Sequence, residues 1–373
     1  MPRSTRARGI FPVVMCNLVV TTFVASFLTG YLLSKAQLHR RSSPERSNGA
    51  RFARVGYNVL GADYVKTRCG YFESPIEKSE PTPVCPLYPP LLTGVLRIIR
   101  RPEEMKLLEV LFSDVQPGGR WMPKHCVARH RVAVVVPYRD RDSHLRTFLN
   151  HMHQLLRKQE LDYGIYVVEQ MGKGDFNRAK LFNIGFELAK ELYDYDCFIF
   201  HDVDLLPETD HNIYACTDLP RHMSTCVQKL GYRLVYDSMF GGVSAVGREQ
   251  MERVNGYSNI YWGWGAEDDD MSRRLRSSGH TIHRYSCSIG RYASLHHTAV
   301  EPNSGRATIL DKWDSRTRKD GLNSLKYKIV DTVFKKLYTL FQVDVLQGSH
   351  FRRSSRSGLT GAPIVPKYRN SSV

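Results

Sequence analysis

Between residues 131 and 204 the chain alternates short apolar runs with stretches of helical spacing, and this alternation limits the fold more than any other feature. Val132-Ala133-Val134-Val135-Val136 is an unbroken, mostly β-branched run ended by Pro137, the pattern of a strand buried on both faces. Leu145, Phe148, Leu149, Met152 and Leu155 then recur at helical spacing over roughly 142–157. Gly164-Ile165-Tyr166-Val167-Val168 reads as a second strand. Asn177 to Leu192 reads as a second helix with Leu181, Ile184, Leu188 and Leu192 on one face, and Cys197-Phe198-Ile199-Phe200 as a third strand. Strand, helix, strand, helix, strand predicts a Rossmann-like α/β fold, with a mostly parallel sheet flanked by helical crossovers. Such sheets bind ligands at the carboxyl ends of their strands, so chemistry is expected there.

The third strand runs into His201-Asp202-Val203-Asp204. Carboxylates at i and i+2 of an extended chain point to one side and suit a hard divalent cation bridging to phosphate oxygens; the competing reading is that they cap the next turn. The first strand ends at Pro137-Tyr138-Arg139-Asp140-Arg141. Arg139 and Arg141 either clamp a nucleotide through charged forks, with Tyr138 packed beside it, or pair with Asp140 and Asp142 at a surface turn. In Tyr261-Trp262-Gly263-Trp264-Gly265-Ala266-Glu267-Asp268-Asp269-Asp270 two tryptophans alternate with glycines before four acids. Acids in a first helical turn suit the macrodipole, but that does not account for the Trp-Gly-Trp-Gly. Flat indole faces suit a sugar ring, and a carboxylate beside such a platform can accept a hydroxyl proton. Phe240-Gly241-Gly242-Val243-Ser244 is a further glycine loop, and His296-His297 follows a short apolar strand. A neutral imidazole there completes an oxygen-and-nitrogen donor set leaning toward manganese over magnesium.

The flanks carry the charge. Of a formal net +16, residues 1–54 contribute nine Lys/Arg against one acid, and residues 349–373 five against none. The basic balance therefore belongs to tails, and the body shows no nucleic-acid signature. Ile10 to Leu33 lacks a charged residue and is long enough to span a bilayer; it is longer than the apolar region of a cleaved signal. The organisation read from this is a cytoplasmic tail at 1–9, a signal anchor at 10–33, a stem at 34–80, a catalytic domain at 81–345 and a basic tail at 346–373. Of eight cysteines, seven lie beyond the anchor, in a compartment where disulfides persist.

Six stretches together resemble the β-1,4-galactosyltransferase family over roughly 85–345. In family order they are Val136-Pro137-Tyr138-Arg139-Asp140-Arg141, Phe176-Asn177-Arg178-Ala179-Lys180, Asp202-Val203-Asp204, Phe240-Gly241-Gly242-Val243-Ser244, Trp262-Gly263-Trp264-Gly265 with Glu267-Asp268-Asp269, and Asp320-Gly321-Leu322-Asn323-Ser324-Leu325. The resemblance implies a GT-A fold, a Golgi membrane enzyme of single-pass type II topology with a lumenal catalytic domain, and inverting, metal-dependent transfer of galactose from UDP-galactose to terminal GlcNAc in β-1,4 linkage. It places Pro137, Tyr138, Arg139, Arg141, Phe176, Arg178, Asp202, Val203, Met239, Gly242 and Trp264 at the donor. Trp264, Gly265, Glu267, Asp268, Asp269 and Arg306 fall on the acceptor side. Asp268 matches the base, Glu267 a residue orienting both substrates, and Asp204 and His297 the ligands of Mn2+, with Mg2+ as a second choice. It also implies disulfides Cys85–Cys126 and Cys197–Cys216, leaving Cys69, Cys226 and Cys287 unassigned. Ser294 stands where the family often has a third ligand, a methionine. Met239 stands where galactose-specific members carry a tyrosine, which opens UDP-GalNAc as an alternative donor. A sugar-binding protein without catalysis is the distant alternative, and the retention of Asp204, His297, Glu267 and Asp268 together argues against it.

Overall fold

A computed structural model describes residues 82–298 and 301–347. The cytoplasmic tail expected at 1–9, the anchor at 10–33, the whole of the stem at 34–80 and most of the basic tail lie outside the described residues. Among the described residues no helix is long and apolar enough to cross a membrane.

The strands in chain order are β1 (Arg120–Trp121), β2 (Arg131–Tyr138), β3 (Asp162–Gln170), β4 (Cys197–His201), β5 (Leu205–Pro207), β6 (Arg221–His222), β7 (Cys226–Val227), β8 (Val243–Gly247), β9 (Arg291–Ser294), β10 (Lys328–Phe334) and β11 (Thr339–Asp344). The helices are α1 (Met105–Leu111), α2 (Asp142–Lys158), α3 (Arg178–Leu192), α4 (Arg248–Arg253), α5 (Glu267–Ser277), α6 (Arg306–Asp311) and α7 (Trp313–Thr317). The main sheet runs β10-β11-β3-β2-β4-β8-β6 with β1 beside β3, and a small sheet runs β5-β9-β7.

The alternation expected from sequence is present: β2, β3 and β4 are parallel, joined by α2 and α3. The sheet as a whole is mixed rather than mostly parallel, because β10–β11, β4–β8, β6–β8 and β1–β3 pair antiparallel. Parallel neighbours need a long crossover. β10 and β11 are joined by a short turn, and β8 returns to β4 through a long excursion without an α-helix.

Alternate residues of β2 serve two cores. Val132, Val134 and Val136 join Leu145, Phe148, Leu149 and Met152 of α2 on one face. Ala133 and Val135 join Leu181, Phe182 and Ile184 of α3, with Met271 and Leu275 of α5, on the other. Burying each large apolar side chain contributes about 1.5–3 kcal/mol, which explains why β2 is apolar at successive positions rather than alternating. Pro137 does not end the strand: it pairs in register with Val168, and β2 continues to Tyr138. The ladder between β2 and β4 stops at Val135 and Phe200, so beyond it that side of β2 loses no hydrogen bond to a residue lacking an N–H.

Asn177 caps α3, its side chain accepting the Lys180 N–H at 2.9 Å while its amide donates to Asn259 O at 2.8 Å. Asn183 exchanges bonds with the Tyr257 backbone at 2.7 and 2.9 Å. α3 thereby fixes the start of the loop that carries both tryptophans. The two expected disulfides are present, and Cys226 pairs with Cys287 as a third; Cys69 lies outside the described residues.

Candidate active site

At the carboxyl end of β4 the chain turns at once, with Leu205 N–H donating to Asp202 O at 3.3 Å. Asp202 and Asp204 therefore stand in a turn and not on an extended strand, and they meet different partners. His201 fixes the turn: it is fully buried, and its ring bonds Asp202 O at 2.8 Å and Tyr214 Oη at 2.9 Å. Val203 between the two acids is buried.

Asp202 Oδ1 accepts from Arg178 Nε at 2.6 Å. The same guanidinium donates to Glu267 Oε1 at 3.1 Å and to Gly242 O at 3.4 Å. Arg178 opens α3, Glu267 opens α5 and Gly242 precedes β8, so one side chain draws three distant stretches together. Two adjacent carboxylates raise the Arg178 pKa despite its burial. Glu267 Oε2 is buried without a protein partner, so a hydrogen-bonding position there is left for another molecule.

Asp204 Oδ2 lies 3.2 Å from Lys229 Nζ and 3.2 Å from His297 Nε2. His297 Nδ1 bonds the carbonyl of Thr298 at 2.8 Å and so carries the proton. The Lys229 ammonium and the His297 imidazole thus converge on one Asp204 oxygen, and a carboxylate with an imidazole beside it can serve as a pair of metal ligands. Ser294, paired with Leu205 at the end of β9, is held beside them, its hydroxyl accepting the Lys229 N–H at 3.3 Å. A carboxylate, an imidazole and a hydroxyl fit a hard or borderline divalent ion. From α2, His144 Nε2 bonds His296 O at 3.1 Å and steadies the segment leading into His297.

The acids of α5 diverge. Gly263, Gly265 and Ala266 take positive φ (78°, 108° and 74°), turning the chain sharply so that Glu267 begins the helix. Asp268 is half-buried, and its carboxyl is pushed up to about 7, first by burial and then by the charges of Glu267 and Asp269. It lies against Gly241, where a Cβ would run into its carboxylate. Asp269 is half-buried, and burial pushes its carboxyl up against the opposing effect of the nearby Tyr236 hydroxyl. Asp270 turns away from the site into a buried network, accepting from Arg274 Nε at 2.6 Å, Arg316 Nη2 at 2.9 Å and Tyr261 Oη at 2.9 Å.

Trp264 is 56% exposed, with the Arg306 guanidinium 5.6 Å from its ring centroid. Asn303 pins this platform, donating to Trp264 O at 3.1 Å and Trp262 O at 2.6 Å. At the end of β2, Pro137 and Tyr138 are buried, and Arg139 donates to Gly174 O at 2.7 Å with its guanidinium 5.3 Å from the Phe176 ring centroid. Arg141 precedes α2, and Asp142 pairs with Arg146 instead of Arg141. Met239 is half-buried beside the fully buried Phe240, and Gly242 takes φ 82°. Sequence reasoning missed Lys229, Tyr236 and His144. A lysine in a mixed loop, a tyrosine among exposed residues and a histidine in a first helical turn carry no local sign that the fold brings them here.

A carboxylate turn at the end of β4, an Asp204–His297 pair able to ligate a cation, and an exposed indole in the loop that leads into the raised-pKa carboxylate of α5 suit a glycosyltransferase site on a GT-A-like mixed sheet. Two family models match: the N-terminal region of glycosyl transferase group 7 over residues 85–217, and the N-terminal domain of galactosyltransferase over residues 221–298. β-1,4-Galactosyltransferase 1 of Mus musculus is 44% identical over 267 residues, covering 70% of this chain and 67% of that protein. β-1,4-Galactosyltransferase 4 of Cricetulus griseus is 43% identical over 268 residues, covering 71% and 78%. The solved catalytic domain of Drosophila β-1,4-galactosyltransferase 7 is 32% identical, with a TM-score of 0.51 over 58% of this chain and 94% of that one. It has been solved with xylobiose and, as a mutant, with manganese, UDP-Gal and xylobiose. The chain belongs to the β-1,4-galactosyltransferase family.

Proposed function

We propose that this chain transfers galactose from UDP-galactose to the 4-hydroxyl of a terminal GlcNAc, with inversion, as a manganese-dependent enzyme. The observation that carries this reading is the Arg178 brace. It sets Asp202 and Glu267 side by side, with Asp268 one residue further into α5 and the Asp204–His297 pair next to them.

Asp204 and His297, with the Ser294 hydroxyl in the third position, would hold Mn2+, or Mg2+ less well. When bound, the metal neutralises charge on the departing diphosphate, so no protein acid is needed on that side. Pro137, Tyr138, Arg139, Arg141 and Phe176 line the end of β2 where the uridine moiety would lie. Arg178, Asp202, Val203, Met239 and Gly242 border the donor sugar. Trp264 offers its exposed face to a sugar ring, with Gly265, Asp269 and Arg306 around it. Glu267 Oε2 takes a substrate hydroxyl, and Asp268 removes the proton from the attacking acceptor oxygen. The Drosophila relative was solved with xylobiose; the run of three aspartates after Glu267 resembles GlcNAc-directed members of the family more than xylose-directed ones, which supports GlcNAc as the acceptor here. The charge-free Ile10–Leu33 segment supports a type II anchor in the Golgi membrane with the catalytic domain lumenal.

A second donor has an observation in its favour. Met239 has no hydroxyl to disfavour an N-acetyl group, which supports UDP-GalNAc as an alternative. The test is the purified chain with Mn2+ and a GlcNAc-terminated acceptor, given UDP-galactose or UDP-GalNAc separately, with the linkage read by NMR. Turnover giving a β-1,4 product is expected, and Met239→Tyr should shift the rate ratio toward galactose. Binding of UDP and GlcNAc without turnover from either donor would leave a sugar-binding protein in place of an enzyme.

A further inference from the structure

Met239-Phe240-Gly241 leads from Met239, proposed above to border the donor sugar, to Gly241, which abuts the Asp268 carboxylate. Its backbone is held from behind by two groups that touch none of the reacting carboxylates. The Arg284 guanidinium donates through Nη2 to Met239 O at 2.6 Å and to Asp237 O at 2.9 Å. Through Nε it donates to His222 Nδ1 at 3.0 Å. With Nδ1 accepting, the His222 proton sits on Nε2, and that N–H donates to Gly241 O at 2.9 Å. The carbonyls at both ends of the three-residue segment thus hang from one Arg–His unit.

The unit is itself firmly placed. His222 is fully buried on β6. Its N–H bonds His283 O at 3.0 Å, while the His283 N–H bonds Pro220 O at 2.9 Å, so Arg284 emerges from a bridge against β6. Burial and the Arg284 charge hold the His222 ring down to about 3, neutral at physiological pH and fixed in one tautomer. Arg276, near the end of α5, adds a bond to Asp237 O at 3.0 Å. Ser224 Oγ reinforces Gly241 O at 3.0 Å.

We propose that Arg284 and His222 form a positioning unit that fixes how far Met239 projects toward the donor sugar, and so sets the discrimination between a sugar with and without an N-acetyl group. This rests on the reading of Met239 as the donor-selecting residue. The charge-assisted Arg284 bond to Met239 O is short and directional, and the buried His222 bond fixes Gly241 O at the other end, so the segment resists retreat from a bulky acetamido group while both ends are held. The fork of Arg284 is what allows one side chain to reach Met239, Asp237 and His222 together. An ammonium is a point charge without that planar geometry.

The test uses the full chain with Arg284→Met, Arg284→Lys, His222→Ala and His222→Gln, each with Met239 and with Met239→Tyr. The readouts are kcat/KM for UDP-galactose and UDP-GalNAc against one GlcNAc acceptor, and Tm. Arg284→Met and His222→Ala are expected to change the donor ratio by roughly threefold or more, and to shrink the further shift that Met239→Tyr produces, the coupling expected of residues acting through one segment. His222→Gln should hold the ratio near its starting value, because the amide can accept from Arg284 and donate to Gly241. Equal losses with both donors, leaving the ratio unchanged, would make the unit merely structural and overturn the proposal while leaving the Met239 reading intact. A silent Met239→Tyr in the unaltered chain would overturn the Met239 reading, and this inference with it. If Arg284→Met does not fold, Arg284→Lys is read by the same ratio.

Discussion

At the scale of single residues the site is a set of carboxylates told apart by their neighbours. Asp202 is tied to Arg178, Asp204 to Lys229 and His297, and Asp270 to Arg274 and Arg316. Asp268 has no cation of its own, and burial with two adjacent acids pushes it up to about 7. A raised carboxyl pKa means that the base form fills only as pH rises through about 7. The kcat/KM profile is therefore expected to climb with unit slope below that pH and level off above it. Asp268→Asn should lower kcat by about 10²–10⁴-fold with UDP affinity by calorimetry little changed; an unaltered pH limb in that variant would assign the titration to another group. The same shift has a consequence for stability. Folding favours the protonated carboxyl, so its contribution is present at low pH and lost as pH rises through about 7. Asp268→Asn should accordingly gain Tm relative to the parent at pH 8, with the gain shrinking steadily below about pH 7 and vanishing only near the unfolded carboxyl value of about 4, a measurement independent of turnover.

At the scale of elements, α5 joins site and scaffold. Its first turn holds Glu267, Asp268, Asp269 and Asp270, and in sequence all four suit the helix N-terminus equally. Which one turns inward is decided by residues far along the chain: Arg316, and Asp320, which bonds Asn259 N at 2.8 Å and also Ser258. The Asp320-Gly321-Leu322-Asn323-Ser324-Leu325 motif is thus part of the frame behind the tryptophan loop and not part of the site. Removing one partner of a fully buried ion pair leaves the other uncompensated. Asp270→Ala should therefore cost about 3–5 kcal/mol, read by thermal denaturation, with the half-buried Asp269→Ala losing much less. This also explains what could be read in advance. β2, α2, β3, α3 and β4 were legible because each is defined by a local period, as were the glycine and tryptophan motifs. The antiparallel half of the sheet, the turn at Asp202–Asp204 and the arrival of Lys229 at Asp204 were not, because each depends on contacts between residues distant in sequence.

At the scale of the whole molecule, charge is unevenly divided along the chain. The basic excess sits in residues 1–54 and 349–373, while the two hydrophobic cores and three disulfides found among the described residues lie between Cys85 and Val345. The ion pairs described at the site are made among Arg178, Asp202, Asp204, Lys229, Glu267 and His297, and charges beyond a Debye length of about 8 Å are largely screened at physiological salt. A fragment of residues 82–347 should therefore unfold cooperatively and transfer sugar to a soluble acceptor with kcat/KM within about threefold of the full chain, a difference worth only ~0.7 kcal/mol in the barrier. The Cys226–Cys287 bond closes a loop spanning 61 positions and ties β7 to the segment entering β9, the strand that carries Ser294. Cys287→Ser in that fragment should cost about 2–5 kcal/mol, and because the small sheet also carries Leu205 next to Asp204, its Mn2+ affinity should fall as well. Measuring both in one sample is decisive. A loss of Tm with unchanged Mn2+ binding would show that the small sheet keeps its geometry without the cross-link. A loss of both would make the disulfide part of what holds Ser294, Asp204 and His297 in register.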